Sequence, residues 1–96
     1  MALETRARTT EFKKQRALAM AALQTDVAGQ LFRRRQELGM TEQQIADLID
    51  STQAKVSDFE RGETNATYDY VARYAAAVGL LPRVRFVPSK VRSDRE

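Results

Sequence analysis

The side chains with the most to offer chemically lie between Thr52 and Arg61. Thr52 carries a hydroxyl that can bond a phosphate or a base edge. Gln53 holds a carbonyl and an amide side by side, the pairing that reads an adenine bidentately through N6 and N7. Ala54 can meet a thymine methyl, and Lys55 can reach guanine or phosphate. Arg61, near the end of the stretch, is better placed for phosphate. Asp58 cannot bind phosphate favourably. Facing a groove it would accept from cytosine N4 and penalise other bases; otherwise it is an exposed helix residue. No competing enzyme chemistry is written here. The chain has no histidine to act as a base for Ser51, Thr52 or Ser57. Asp47, Asp50 and Glu60 are spaced as solvated or ion-paired helix residues, and no glycine-rich phosphate loop is present.

Two short helices must position those groups. Thr41 is an N-cap candidate, and Gln44 three residues on completes a capping box. Ile45, Ala46, Leu48 and Ile49 form one apolar face at helical spacing. Asp50-Ser51-Thr52 interrupts it with turn and cap formers. The second helix runs from Gln53 to Arg61, with Val56 and Phe59 as its only inward side chains. Gly62 is placed to close it, where positive φ is easiest for glycine. Two helices of about eight residues joined by a three-residue turn have helix-turn-helix dimensions. The second helix commits few residues to the core, which suits an element that keeps one face free for a groove.

The stretch Thr41–Gly62 resembles the DNA-binding domain of the phage-repressor, Cro and XRE family. The family pattern is matched by Thr41, Ile45-Ala46, Thr52, Val56-Ser57, Phe59-Glu60 and Gly62. About ten positions agree at fixed spacing, over roughly residues 26–80. Small Ala46 lets the two helices cross closely. Two positions depart: the family's turn glycine is Asp50, and the apolar residue after it is Ser51. Asp can take a left-handed backbone at some cost. The resemblance also implies that Arg35, six residues before Thr41, pairs with Glu60 and ties the first domain helix to the second helix of the motif. The family often carries a glutamine directly after the threonine cap, where it touches phosphate. That place holds Glu42, and Gln43 or Gln44 can take over the contact.

The 96 residues make one small domain with extensions. There is no cysteine, so no disulfide framework and no cysteine-based metal site, and the missing histidine removes the commonest zinc ligand. Nothing calls for a cofactor. This composition fits the cytosol; no apolar run approaches a membrane span, and the N-terminus lacks the apolar core of a signal peptide. The net charge of +3 is unevenly spread. Residues 1–25 carry five Lys/Arg against two Asp/Glu, and residues 80–96 carry the same balance. Residues 26–79 carry six basic against nine acidic. The middle is therefore acidic between two basic ends, and a DNA-binding surface must be a local patch.

Residues 1–9 show little periodicity and read as a tail. From Thr10, Phe12, Met20, Leu23, Val27, Leu31 and Leu38 fall on one stripe, with Arg16 and Arg34 in its gaps. The stripe keeps its phase through Thr25-Asp26, but Thr25 is also a cap candidate, and two helices at roughly 10–24 and 26–38 are expected, closed by Gly39. Arg33 and Arg34 are left for phosphate, a partner or water. After the turn formers at 63–67, Thr67 caps a helix from Tyr68 to Val78, closed by Gly79. Its inner stripe is Tyr68, Val71, Ala75 and Val78, with Tyr70 and Tyr74 as surface cover on a second face. Alanines 75–77 suggest a close neighbour. Residues 82–87 then alternate with period two. Such a strand cannot stand alone, and pairing with its counterpart in a second copy, through Val84 and Phe86 (or Leu81), is the simplest solution.

The fold expected is all-α: a lambda-repressor-like helix-turn-helix domain at 26–80, a basic N-terminal tail and helix at 1–25, and a dimerisation strand with a charged tail at 81–96. The whole chain is similar in layout to HigA-type antitoxins. That likeness implies a homodimer that binds its own palindromic operator in double-stranded DNA and holds a small ribonuclease toxin. An XRE-type repressor without a toxin, or an interaction module that has lost DNA binding, shares nearly every feature.

Overall fold

The computed structural model describes residues 2–89, which form four helices: α1 Ala2–Glu37, α2 Glu42–Ile49, α3 Gln53–Glu60 and α4 Tyr68–Ala77. α1 is one continuous helix of 36 residues. The break expected at Thr25-Asp26 does not occur. No helix breaker stands at Thr25-Asp26, Gly29 is accommodated inside the helix, and the apolar stripe keeps its phase across the junction. Gln24 also anchors the spot, donating to the Asn65 side chain at 3.0 Å and to the Thr64 carbonyl at 3.3 Å. At about 1.5 Å per residue a helix of this length spans about 54 Å, which matches the molecule's longest dimension of 54 Å.

Only the C-terminal third of α1 enters the core. Ala28 and Leu31 are buried there against Ile45, Ala46 and Ile49 of α2, Val56 and Phe59 of α3, and Tyr74, Ala75 and Val78 at α4. Ala46 is fully buried, as close crossing of α2 and α3 requires. The earlier part of α1 projects, and its stripe is left open: Phe12 is 66% exposed, and Leu18 and Leu23 are exposed too. Leu38, at the end of the stripe, is exposed as well.

The caps are where the sequence placed them. Thr41 accepts from the Gln44 amide, and Gln44 reaches back to the Thr41 N–H at 2.8 Å, completing the capping box. Asp50 adopts φ 58° and ψ 54°, the left-handed backbone that the family assigns to glycine. At the end of α3, Gly62 takes φ 73° and turns the chain back, so that Gly62 N–H bonds Phe59 O and Glu63 N–H bonds Asp58 O.

Three packing expectations need correction. Leu48 is 63% exposed, because Ile45, Ala46 and Ile49 alone fill the inner face of α2. Tyr68 is exposed at the first turn of α4, ahead of the part that packs. Tyr74, expected at the surface, is fully buried, and the inner stripe is Val71, Tyr74, Ala75 and Val78. Its ring centroid lies 5.5 Å from that of Phe59, and the Tyr70 ring lies 5.4 Å from Phe59. The expected strand at 82–87 is not formed. Residues 80–89 carry no regular structure, since no other segment among the described residues offers a ladder to pair with. Leu81, Val84, Phe86 and Val87 are exposed along it.

Candidate nucleic-acid interface

The α2–turn–α3 unit is fixed from beneath by a part-buried polar cluster. Arg35 grips Glu60 with a two-pronged bond, Nε to Oε2 at 2.7 Å and Nη2 to Oε1 at 2.9 Å. The third nitrogen of Arg35 donates to the Met40 carbonyl at 2.8 Å, closing the α1–α2 turn. Tyr74 adds a donor from α4 to Glu60 Oε2. The side chains of Arg35 and Glu60 are 12% and 4% exposed, so the pair is largely removed from water. Burial alone would push the Glu60 carboxyl up; the bonds from Arg35 and Tyr74 more than offset it and hold the carboxyl below its ordinary value. The bond to Glu60 raises Arg35 in turn. Burial, and then the Glu60 carboxylate, push the Tyr74 phenol well above its ordinary value. The Arg35–Glu60 pair implied by the family pattern is thus present, with Tyr74 as a third member. Tyr74 sits at i, i+3, i+4 spacing with Val71, Ala75 and Val78, which is the signal that could have found it.

Above this base, α3 presents its first turn outward. Thr52 caps the helix, its hydroxyl accepting from the Lys55 amide at 3.2 Å. Thr52, Gln53, Ala54 and Lys55 are all exposed, while Val56 and Phe59 are buried. Gln53 Nε2 donates to Glu42 Oε1 across the N-termini of the two helices. An amide nitrogen carries two hydrogens, so one donor and the carbonyl acceptor of Gln53 remain for a base edge. Glu42, noted in the sequence only as a departure, therefore orients the residue best suited to read adenine. Nothing in its spacing from Gln53, eleven residues on, signals this; the crossing of α2 and α3 creates it. Lys55 makes no ion pair among the described residues.

The remaining site residues are more occupied than expected. Gln43 donates to Asp47 one helical turn on, at 2.9 Å, and faces solvent on α2. Arg61 is held by Ser57, Asp58 and Glu63. Asp58 is thus a partner of Arg61 and stands at the opposite end of α3 from Gln53. Arg33 is exposed, but Arg34 is not free: it donates to the Val78 carbonyl at 3.0 Å and docks the end of α4 onto α1. Arg73 does similar work, bonding the Ile49 carbonyl and Asp69. Val84 and Phe86 lie on the exposed segment after α4, away from the buried core. No group of three or more acidic residues among the described residues could hold a metal ion, and no helix is long and apolar enough to cross a membrane.

Two short capped helices crossing at a buried alanine, the second with its first turn bare, define a helix-turn-helix. The sequence model of the helix-turn-helix family matches residues 31–84, more than half of the chain, and the chain belongs to this family of XRE and lambda-repressor-like DNA-binding regulators. No curated protein matches the chain, and neither does any solved structure.

Proposed function

We propose that the protein is a sequence-specific double-stranded DNA-binding transcriptional repressor, with α3 as its recognition helix. The observation that carries this reading is the bare first turn of α3. Gln53 is oriented by Glu42, Lys55 makes no ion pair among the described residues, and both stand clear of a helix anchored by two core side chains. Gln53 is the base reader, Ala54 a methyl contact, Thr52 and Lys55 phosphate or guanine contacts, and Gln43 a flanking phosphate contact. The protein acts as a homodimer on a palindromic operator. Exposed Leu81, Val84, Phe86 and Val87 support this, since a row of apolar side chains on an unpaired extended segment asks for a partner.

The finer reading is the antitoxin of a toxin–antitoxin pair that controls its own operon. The projecting arm of α1 favours it over a plain repressor. Most helical stability in proteins comes from packing of an apolar face, and Phe12, Leu18 and Leu23 on this arm are uncovered. A small ribonuclease toxin is the occupant that this reading supplies. The functional test is selection of sites from a random duplex pool, followed by Gln53→Ala. The variant should bind the selected site about 1–3 kcal/mol more weakly and mixed-sequence duplex almost unchanged. Equal losses on both would remove Gln53 as a base reader.

A further inference from the structure

Arg61, the C-cap of the recognition helix, donates to three acceptors of its own chain. Nη1 donates to Ser57 Oγ at 2.5 Å, and Nη2 donates to Asp58 Oδ1 at 2.6 Å and to Glu63 Oε1 at 3.2 Å. Chain geometry builds this arrangement. Ser57 and Asp58 lie four and three residues before Arg61, on the same helical face. Glu63 would lie beyond the helix, but positive φ at Gly62 folds the chain back and Glu63 N–H bonds Asp58 O at 3.0 Å. Two carboxylates therefore converge on one guanidinium, leaving the helix end with a net negative charge. At the other end, Lys55 has no such partner among the described residues. The arrangement is solvent-accessible, with side chains of Arg61, Asp58 and Glu63 about half exposed at 54%, 45% and 58%.

Resting on the DNA-binding reading above, we propose that Asp58 and Glu63 form an anionic clamp that occupies Arg61 in the free protein, so that duplex binding exchanges a carboxylate for a phosphate at this residue. Both ligands offer the guanidinium the same thing, a pair of anionic oxygens in a plane. The clamp holds Arg61 off DNA until a phosphate displaces it. Lys55 makes the first contact, and Arg61 joins only on a duplex seated closely enough to compete. Asp58 thereby sets affinity for all duplexes, and it does so through Arg61 without touching a base.

The test is a salt titration of binding to a labelled mixed-sequence duplex and to a selected site, for wild type, Lys55→Ala, Asp58→Asn, Glu63→Gln, Arg61→Ala and Asp58→Asn/Arg61→Ala. Thermal unfolding of each variant checks that it is folded. Release of Arg61 should tighten binding of Asp58→Asn to both duplexes by about two- to fivefold, the range of an exposed ion pair. The slope of log K against log salt should steepen by about 0.9 for the added phosphate contact. Glu63→Gln should act in the same direction. Adding Arg61→Ala to Asp58→Asn should cancel both the gain and the steeper slope. An equal gain from Asp58→Asn with Arg61 already removed would mean simple charge repulsion and overturn the clamp. A changed preference at one base pair, with other sequences unaffected, would make Asp58 a base reader and also overturn it. In both cases a wild-type slope flattened by Lys55→Ala leaves the functional reading standing. Absence of duplex binding in wild type and every variant would overturn the functional reading, and the clamp with it.

Discussion

Replacing Arg35 by alanine should destabilise the domain strongly. The substitution removes two charge-assisted bonds to Glu60 and the bond that satisfies the Met40 carbonyl. It leaves the Glu60 carboxylate, only 4% exposed, with Tyr74 as its remaining donor. Breaking one side of such a buried pair costs about 3–5 kcal/mol, against a total stability of about 5–15 kcal/mol for a domain. The carboxylate is the expensive remnant, so removing it as well should recover much of the loss. Arg35→Met/Glu60→Leu, which fills the same space with apolar atoms, should be less destabilised than the sum of the single changes by about 2 kcal/mol or more. The assay is a double-mutant cycle in urea, followed by circular dichroism and tyrosine fluorescence, with the slope of unfolding checked for constancy. Effects that add to within about 0.5 kcal/mol would show no coupling between the two positions and would refute the reasoning.

Three further outcomes follow from the same geometry. Because the fold holds the Glu60 carboxyl below its ordinary 4.5, its contribution is complete above that value and is lost as pH falls through the folded value; the acid limb of a stability–pH curve should be steeper in wild type than in Arg35→Met/Glu60→Leu, and identical limbs would contradict this. Asp50 sits at φ 58°, where an L-residue is strained, so Asp50→Gly should raise stability by up to about 1 kcal/mol; a lower melting temperature would show that the Asp side chain compensates for its backbone. Deleting residues 81–96 should give a folded monomer with weaker affinity for a palindromic site, and a truncated protein that still sediments as a dimer would move the interface to alanines 75–77 or α1.

The site was more legible than the frame around it. Caps and turns are local, so Thr41, Thr52, Gly62 and even the strained Asp50 could be assigned from residue type and spacing. The outward set on α3 followed once Val56 and Phe59 were given to the core. Long-range polar contacts left no such trace. Glu42 meets Gln53, and Tyr74 meets Glu60, only because the helices cross where they do. A phenol reads as a surface residue if it needs water, but at Tyr74 the Glu60 carboxylate accepts its hydrogen bond instead. Thr25 is a cap former by type, but the unbroken phase of the apolar stripe outweighs it and α1 runs straight through. The C-terminal segment illustrates the opposite limit: period-two alternation specifies a strand only if a second strand is available, and the described residues hold none.

The central claim, that α3 docks on duplex DNA through its first turn, is tested most directly by one comparison. Binding of wild type and Lys55→Ala to a mixed-sequence duplex should be measured across a range of salt concentrations. The account predicts a linear fall of log K with log salt in wild type. It predicts weaker binding for Lys55→Ala at every salt concentration, with a slope shallower by about 1. Wild-type binding that is absent at low salt, or a slope that Lys55→Ala leaves unchanged, would contradict it.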